Sequence, residues 1–382
     1  MLKVLLVANT DWYLYNFRFS LAKFLRSQGY EVVLVSPPGQ YTPVFEDHHF
    51  RWIAWDLSRQ AVLPWQELHS FQSLAQIYRQ ERPDLVHHHT IKPVLYGSIA
   101  AQRLGMENVV NSITGRGYIF LSNDPKARLL KPVAKALYRR ALNHANYAVI
   151  FENDADRQYF IRQKFVPLDR TWLIYGVGVD PQRFTPAPEP EGVPVVLLSG
   201  RMLWDKGVGV LVEAARLLKQ RTSVRVVLVG EPDPGNPTSI DKDTLRQWGQ
   251  EGAVEYWGWQ PEMNTVYARC HIVTAPTMYG EGVPTVLLEA AACGRPVVTT
   301  DMPGCRDIVE DGVTGLIVPP GDPLALANAL EQLISDPIRR GRMGSAARQQ
   351  VILKFTAQQV NTATLAIYSK VLGRAVTPEE ET

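Results

Sequence analysis

Two short segments of this sequence carry charged side chains among glycines, and each directly follows an apolar run. The first reads GRMLWDKG at residues 200–207, after the apolar residues 195–198. The second reads YGEGVPTVLLEA at residues 279–290, after the apolar residues 271–275. Because glycine lets the backbone turn closely, each segment predicts a tight loop that joins a strand to a helix.

Arg201 and Lys206 place two fixed cations on the first loop. Two such charges would neutralise a diphosphate leaving group as its bond to a sugar breaks, which lowers the barrier to transfer. Taken alone, the pair is as readily explained as two solvated loop cations. The residues of the second loop favour the interpretation that the two cations bind a diphosphate.

The second loop predicts an anion site with a carboxylate at each end. Pro284 suits the first position of a helix that runs to about Cys293, and the free amides near Thr285 and Val286 would face a diphosphate. Carboxylates accept paired hydroxyl hydrogen bonds, so Glu281 in the loop can face a sugar while Glu289 reaches a ribose. The alternative is a solvated loop glutamate and a surface helix glutamate.

Bulk properties limit the class of protein. The chain has 382 residues with 46% hydrophobic content and a net charge of +2, which predicts two cores and gives no sign of wholesale nucleic-acid binding. Three cysteines suggest neither a disulfide framework nor a zinc site, and they fit a reducing cytoplasm. The N-terminal apolar run is too short for a signal peptide, and no stretch approaches the roughly 18 to 20 apolar residues of a membrane span.

Short β-branched runs alternate with helical stretches in two blocks, which predicts parallel sheets covered by helices on both faces. The runs that predict strands are 4–7, 31–35, 85–87, 109–112 and 147–151 in the first block, and 195–199, 225–229, 254–256, 272–275, 296–299 and 315–318 in the second. The rhythm breaks at TPAPEPEG, residues 185–192. We therefore predict an α/β chain with two Rossmann-like domains facing each other across a cleft. The domains are 1–184, which holds the acceptor, and 193–355, which holds the nucleotide sugar, joined by the linker 185–192. A last helix at about 356–373 can pack back on the first domain.

The two loops resemble those of the family-four retaining glycosyltransferases, which have the GT-B fold. The resemblance covers nearly the whole chain, and its closest match is the subgroup that builds capsule, O-antigen and other surface polysaccharides. It extends to further segments: NVV at 108–110 leading to TGRG at 114–117, GVD at 178–180 through Phe184, PGCRD at 303–307, DG at 311–312 and PPGD at 319–322.

The resemblance implies roles for individual residues. Glu281 would contact the donor sugar, Glu289 would hold the ribose, and Arg201 with Lys206 would grip the diphosphate. Glu281, Lys206 and Arg201 are thus the expected catalytic group. The other expected donor contacts are Gly282, Val283, Pro284, Thr285 and Val286, with the base near Gly230, Glu231, Trp257 and Gly258. The resemblance implies no metal and no cofactor, because the nucleoside diphosphate sugar is a substrate.

The first domain departs from the family at two points. Residues 9–18 are bulky where many relatives have a glycine-rich loop, and Thr114 stands where many relatives have a histidine. The triple histidine at 87–89 ends a strand, where adjacent side chains alternate faces, which argues against a metal site. The residues expected on the acceptor side are Asn16, Arg18, His89, Lys92, Thr114 and Arg116. In the alternative, His89 and Lys92 simply finish the strand.

Residues 126–140 form a basic segment that carries Lys126, Arg128, Lys131, Lys135, Arg139 and Arg140, with Asp124 as the only nearby acid. Helical spacing predicts a cationic stripe opposite an apolar face of Leu130, Val133, Leu137 and Ala141, with a start or kink at Pro132. Such a stripe favours peripheral contact with anionic lipid. The alternative is an ordinary solvated helix face.

These observations predict a metal-independent retaining hexosyltransferase. It would move a hexose or N-acetylhexosamine from a nucleoside diphosphate, expected to be UDP, to a saccharide acceptor, expected to be linked to polyprenyl diphosphate. The expected location is the cytoplasm, peripheral at the plasma membrane, with no nucleic-acid partner. Two alternatives stay open, a nucleotide-sugar epimerase of similar architecture and a degenerate sugar-binding protein.

Overall fold

The chain forms two compact units in a computed structural model that describes residues 1–57, 64–117, 120 and 125–373. The first unit is Met1–Val177 with Gln359–Thr382, and the second is Gly178–Gln358. The last helix, Ala357–Val371, therefore belongs to the first unit from Gln359 onward.

The first unit is built on a seven-stranded sheet in which every neighbouring pair is parallel, in the order β3-β2-β1-β4-β5-β6-β7. Its strands are β1 (Lys3–Val7), β2 (Glu31–Ser36), β3 (Arg51–Ala54), β4 (Leu85–His89), β5 (Asn108–Ile113), β6 (Asn146–Phe151) and β7 (Thr171–Leu173). The strands β1 and β2 are largely apolar and buried on both faces, as a parallel sheet between two helical layers requires.

Two helical layers cover this sheet. The α-helices of the unit are Asp11–Tyr13, Phe19–Ser27, Thr42–Asp47, Pro64–Glu81, Ser98–Arg103, Pro125–Ala141, Asp154–Arg162 and Ala357–Val371, with π-helical turns at Leu14–Arg18 and Pro93–Gly97. One core contains Leu74, Tyr78, Ala100 and Tyr138 from the helices that follow β3, β4 and β5. The core on the other face includes Tyr368 from the last helix.

The second unit repeats the plan with six parallel strands in the order β10-β9-β8-β11-β12-β13. These strands are β8 (Val195–Ser199), β9 (Arg225–Val229), β10 (Glu255–Gly258), β11 (Ile272–Ala275), β12 (Val297–Thr300) and β13 (Gly315–Val318). The helices are Val208–Lys219, Lys242–Gln250, Met263–Ala268, Thr285–Ala292, Pro323–Ser335 and Pro337–Lys354. The strand order reverses between β8 and β11, and such a reversal is where open parallel sheets bind ligands.

The segment 185–192 contains no helix or strand and is held against the second unit by side chains. Arg340, which is almost fully buried, pairs with Glu189 through hydrogen bonds of 2.8 and 2.6 Å. Arg295 donates to the carbonyl of Pro188 at 3.1 Å, and His271 Nε2 donates to that of Pro190 at 2.9 Å. These contacts give the acidic, proline-rich segment a defined course along the unit.

The structure differs from the sequence predictions in two strands and one helix. The edge strands β3 and β7 were not predicted, because both are short and neither has a β-branched run. The helix Pro125–Ala141 contains Pro132 in its interior and does not begin there, whereas a kink at Pro132 stays a prediction. Asp124 and the Lys126 side chain lie outside the described residues. Within the described part of the chain, no helix combines the length and apolar character that crossing a membrane requires.

Candidate functional site

Lys206 and Glu281 meet in an ion pair at the point where the order of the second sheet reverses. Lys206 lies on the loop after β8, and Glu281 lies on the loop after β11. The Lys206 ammonium contacts Glu281 Oε2. Because β8 and β11 are neighbours in the sheet, their carboxyl ends bring these two loops together.

The two loops are locked to each other by close backbone packing. Gly207 has φ +73°, and a Cβ atom there would lie 1.9 Å from the carbonyl oxygen of Pro276. The amide of Met278 donates a 2.8 Å hydrogen bond to the carbonyl of Asp205. The glycine is therefore required both for its left-handed backbone and for the contact between loops.

Glu281 is positioned by a second hydrogen bond within its own loop. Thr277 Oγ1 donates to Glu281 Oε1 at 3.0 Å, and the Glu281 side chain is only 16% exposed. The Lys206 side chain is 23% exposed. Both side chains are thus mostly shielded from water, which strengthens the attraction between their charges.

Arg201 lies on the same loop as Lys206 but does not take part in the ion pair with Glu281. Its guanidinium donates a 2.8 Å hydrogen bond to Asp233 Oδ2, and its side chain is 43% exposed. The structure therefore brings Lys206 and Glu281 into contact, whereas Arg201 pairs with an acid that the sequence analysis did not single out.

Glu289 lies in the helix Thr285–Ala292 and is held by a buried tyrosine. Tyr267, on the helix that precedes β11, donates a 2.8 Å hydrogen bond to Glu289 Oε2. The Tyr267 hydroxyl also lies 3.3 Å from Ser199 Oγ, at the end of β8. Burial raises the pKa of Glu289 to about 7, although the Tyr267 hydrogen bond and the charge of Arg183 both lower it.

The helix that follows the second loop begins at Thr285, one residue later than predicted. Pro284 occupies the N-cap position, with φ −65° and ψ 116°, and its carbonyl accepts a 3.1 Å hydrogen bond from the Leu287 amide. The amides of Thr285 and Val286 therefore open the helix and have no partner within it. Gly282, Val283 and Pro284 are buried beneath this turn.

The residues expected near the base use much of their polar surface within the protein. The Gly230 amide donates to the Gly258 carbonyl at 2.8 Å, and the Gly230 carbonyl accepts from Tyr256 Oη at 3.0 Å. The Glu231 carboxylate pairs with Lys242 at 2.8 Å. Trp257 donates from its indole to Glu255 at 3.1 Å, and the Arg269 guanidinium lies 4.2 Å from its ring centre. The contacts of Gly230 with Gly258 and Tyr256 therefore hold β9 and β10 together.

Two of the residues expected on the acceptor side follow β1, and they differ in exposure. Arg18 is buried, pairs with Glu152 at 3.3 Å and donates to Tyr13 Oη at 2.9 Å. Glu152 directly follows β6, so this ion pair joins the segment after β1 to the carboxyl end of β6. Asn16 is exposed and donates to the Trp12 carbonyl at 2.9 Å.

The three histidines of β4 are all buried, and only two have hydrogen-bond partners. His87 Nδ1 and Nε2 lie 2.6 Å from Tyr368 Oη and 2.7 Å from Ser112 Oγ. His88 likewise bridges Tyr78 and Asn111. Neither ring nitrogen of His89 has a partner among the described residues. Burial lowers the pKa of all three imidazoles, that of His88 to about 3, so they are neutral.

The remaining acceptor-side residues lie at the same edge of the first sheet. Lys92 pairs with Glu67 at 2.8 Å, and Arg116 pairs with the buried Asp156 at 2.7 Å. Thr114 is partly buried beside Arg116. Among the residues that the structure describes, no three His, Cys, Asp or Glu side chains are grouped so as to hold a metal ion.

Sequence reasoning missed the partners that orient the charged residues. Tyr267, Thr277 and Asp233 hold Glu289, Glu281 and Arg201 in turn. Only Thr277 carried a usable signal, because it lies four residues before Glu281 in the same loop. The other two partners are contributed by separate elements of the fold.

Two family models match the chain, one in each unit. Residues 3–153 match a glycosyl transferase 4-like model, and residues 193–336 match the glycosyl transferases group 1 model. The second match contains both loops of the candidate site.

Similar whole proteins are also glycosyltransferases. The N,N'-diacetylbacillosaminyl-diphospho-undecaprenol alpha-1,3-N-acetylgalactosaminyltransferase of Campylobacter jejuni is 27% identical over 372 residues, which covers 94% of this chain and 96% of that protein. Among solved structures, Anabaena Alr3699/HepE in complex with UDP and glucose has a TM-score of 0.77 at 21% identity, covering 97% and 100%. Sucrose-phosphate synthase from Thermosynechococcus elongatus has a TM-score of 0.81 at 20% identity, covering 98% and 100%.

The predicted α/β fold with two Rossmann-like domains is confirmed by the two parallel sheets and by these structural neighbours. The two matches account for most of both units, and the relatives extend over nearly the whole chain. This chain therefore belongs to the glycosyltransferases of the GT-B fold, with a glycosyl transferase 4-like first part and a group 1 second part.

Proposed function

We propose that this glycosyltransferase moves a hexose or N-acetylhexosamine from UDP to a hydroxyl of a saccharide acceptor, with retention of the anomeric configuration. The observation that carries the proposal is the meeting of Lys206 and Glu281 at the reversal of the second sheet. A cation there stabilises the departing diphosphate, and a carboxylate there accepts hydrogen bonds from sugar hydroxyls.

The proposed reaction needs no nucleophile from the protein. The bond between the anomeric carbon and the diphosphate oxygen breaks as the acceptor oxygen bonds to the same face of that carbon. The acceptor proton passes to an oxygen of the departing diphosphate. Lys206 and Arg201 compensate the charge that develops on that group, so the transfer is proposed to need neither a metal nor a cofactor. Arg201 would exchange Asp233 for the diphosphate on binding.

The proposed substrates follow from the relatives. The Anabaena structure holds UDP and glucose, which supports UDP as the nucleotide. The acceptor in the name of the Campylobacter jejuni relative is a saccharide on diphospho-undecaprenol. We therefore propose a polyprenyl-diphosphate-linked saccharide as the acceptor, in the synthesis of a surface polysaccharide or related glycan.

The proposed location is the cytoplasm, at the inner face of the plasma membrane. The three cysteines are free and buried in the second unit, which suits a reducing compartment. The basic segment 126–140 supports peripheral contact with anionic lipid, where a polyprenyl-linked acceptor would be held.

The proposal is tested with a panel of UDP-hexoses and UDP-N-acetylhexosamines on purified protein, first by thermal shift and then by transfer to a synthetic lipid-linked saccharide. Proton NMR of the product reads the anomeric configuration, and an assay in excess EDTA tests for a metal requirement. Lys206→Ala and Glu281→Gln should nearly abolish transfer. Arg246→Ala, which removes an exposed cation paired with Asp243, is the matched control.

Three results would contradict the proposal. An inverted linkage would exclude retention. Conversion of the UDP-sugar without any acceptor, to a second UDP-sugar, would establish an epimerase. Tight donor binding with neither transfer nor slow hydrolysis would establish a sugar-binding protein.

A further inference from the structure

Large apolar side chains are exposed on the helix Pro125–Ala141, and two of them, Leu130 and Val133, belong to the apolar face that the sequence predicted. Leu129 is 80% exposed, Val133 57% and Leu130 44%. The buried face is formed instead by Ala134, Tyr138 and Ala141. Ala141 belongs to both faces, so the buried face is shifted by about 60° from the predicted apolar face, at 3.6 residues per turn.

The buried face is centred on the aromatic ring of Tyr138. The ring stacks on Phe165 at 5.7 Å between ring centres and packs edge-to-face on Phe160 at 5.1 Å. Aromatic rings packed in this way stabilise the buried face, to which Leu130 and Val133 do not contribute. Those two side chains are consequently left in water with Leu129.

A second group of exposed apolar side chains lies in the same helical layer. Trp65 is 66% exposed and Leu68 53%, both in the first turns of the helix Pro64–Glu81. This helix contacts Ser98–Arg103, and Ser98–Arg103 in turn contacts Pro125–Ala141. The two outer helices are therefore two packing distances apart, roughly 16 to 20 Å.

Both groups also lie towards the same edge of the sheet. The helix Pro64–Glu81 follows β3, and the helix Pro125–Ala141 follows β5. In a parallel sheet each such helix begins at the carboxyl ends of the strands and runs back. The exposed residues, which reach no further than the middle of their helices, thus give that edge an apolar surface in two patches.

The charged side chains on the helix Pro125–Ala141, which carries the larger of the two exposed groups, are all positive. Arg128, Lys131, Lys135, Arg139 and Arg140 lie on the helix Pro125–Ala141, which contains no acidic residue. Among the described residues, none of these five cations forms a salt bridge. On the other helix, Glu67 is neutralised by Lys92.

From this arrangement we infer that Trp65, Leu68, Leu129, Leu130 and Val133 form a docking surface that inserts into an anionic lipid bilayer. The inference deepens the proposed function, since a bilayer would hold the proposed acceptor. Apolar groups roughly 16 to 20 Å apart are too widely spaced for one small ligand but suit a flat surface. Leucine and tryptophan enter the interface between headgroups and acyl chains, and the cations meet the lipid phosphates.

The insertion is distinguished from simple charge attraction by neutral substitutions. The full-length protein is sedimented with vesicles of phosphatidylcholine alone or mixed with phosphatidylglycerol. Three double variants are compared: Leu129→Gln with Val133→Gln, Trp65→Gln with Leu68→Gln, and the control Ile338→Gln with Leu353→Gln. Ile338 and Leu353 are 77% and 71% exposed on the second unit, so the control removes matched apolar area elsewhere.

The wild type should bind the mixed vesicles and bind phosphatidylcholine far more weakly. Each of the first two variants should lose about tenfold or more of the partition coefficient, while the control should match the wild type. All three should transfer sugar to a water-soluble acceptor at the wild-type rate, so loss of binding is read separately from loss of the proposed activity.

Three outcomes would overturn the inference. Vesicle binding that is unchanged in both helix variants would show that the apolar side chains do not insert. Binding to neither kind of vesicle would exclude the bilayer. A dimer in sedimentation velocity that only the helix variants abolish would assign the surface to a second copy of the chain.

Discussion

The hydroxyl of Tyr267 donates a 2.8 Å hydrogen bond to Glu289 and also lies 3.3 Å from the hydroxyl of Ser199. Tyr267 is fully buried, and Ser199 ends β8, so the carboxylate is oriented by two different elements of the second unit. A residue proposed to hold the donor ribose is thus fixed before any ligand arrives, which reduces the entropy lost on binding.

Replacing Tyr267 with phenylalanine should weaken UDP binding by about tenfold at neutral pH, since a hydrogen bond to a charged group contributes roughly 1.5 kcal/mol or more. The loss of the hydroxyl also removes an interaction that lowers the pKa of Glu289, so the carboxyl should ionise at higher pH. Calorimetric titrations with UDP across the neutral range measure both effects. A purely structural role for Tyr267 would weaken binding without moving the pH at which it changes.

The raised pKa of Glu289, about 7, predicts a pH dependence in the wild type. The ionised carboxylate accepts hydroxyl hydrogen bonds better than the neutral acid, so UDP affinity should increase as the pH rises through 7. Stability should change in the opposite sense. Because the folded pKa lies above the ordinary 4.5, the folded state binds the extra proton between these values, and this group's contribution to stability falls from pH 4.5 to 7.

Glu289→Gln is the control for the pH dependence of UDP affinity and for that of stability, because the amide does not titrate. Binding and thermal unfolding are measured in parallel on the wild type and the variant. Identical pH profiles for the two proteins would contradict the assignment of the change to this carboxyl.

Lys206→Ala should lower kcat by about 100-fold or more, since a fixed cation beside a developing charge contributes several kcal/mol to the transition state. The variant should remain folded, because the hydrogen bond from Thr277 continues to hold Glu281 in its loop. Steady-state kinetics measure the loss of kcat, and thermal unfolding shows whether the variant remains folded. A variant with near wild-type kcat would remove Lys206 from the proposed chemistry.

Gly207→Ala should destabilise the second unit by about 3 kcal/mol or more, because the new methyl group meets the Pro276 carbonyl at 1.9 Å. Gly252→Ala is the matched control: its φ is +69°, but no atom lies within 4 Å of the added Cβ. The control should cost only about 1 to 2 kcal/mol for the left-handed backbone. If the two variants lost equal free energy of unfolding in denaturant, the close contact between Gly207 and Pro276 would contribute nothing beyond the left-handed backbone.

Removing one member of the buried pair Arg18 and Glu152 should cost about 3 to 5 kcal/mol, because the attraction between the two buried charges is lost. Arg18→Met and Glu152→Gln should each show this loss in denaturant unfolding. The double variant should recover part of it. Additive losses would contradict a coupled pair.

Much of the fold was predictable from local patterns. The alternation of apolar runs with helical stretches identified the parallel sheets, and only the edge strands β3 and β7 were missed, since their short sequences have no apolar periodicity. The two site loops were predictable because glycines, charges and the preceding strand all lie within about a dozen residues of one another. That Lys206 and Glu281 meet could not be predicted in this way, because β8 and β11 are neighbours only in the folded sheet.

The sequence by itself determined which residues carry charge, where the backbone turns tightly and which segments become strands, because each depends on interactions between near neighbours in the chain. Only the tertiary structure decided that Tyr267 holds Glu289, that Arg201 pairs with Asp233, and that the helix Pro125–Ala141 exposes Leu129 and Val133. These contacts depend on competition among distant partners for the same space, and no local spacing records which partner prevails.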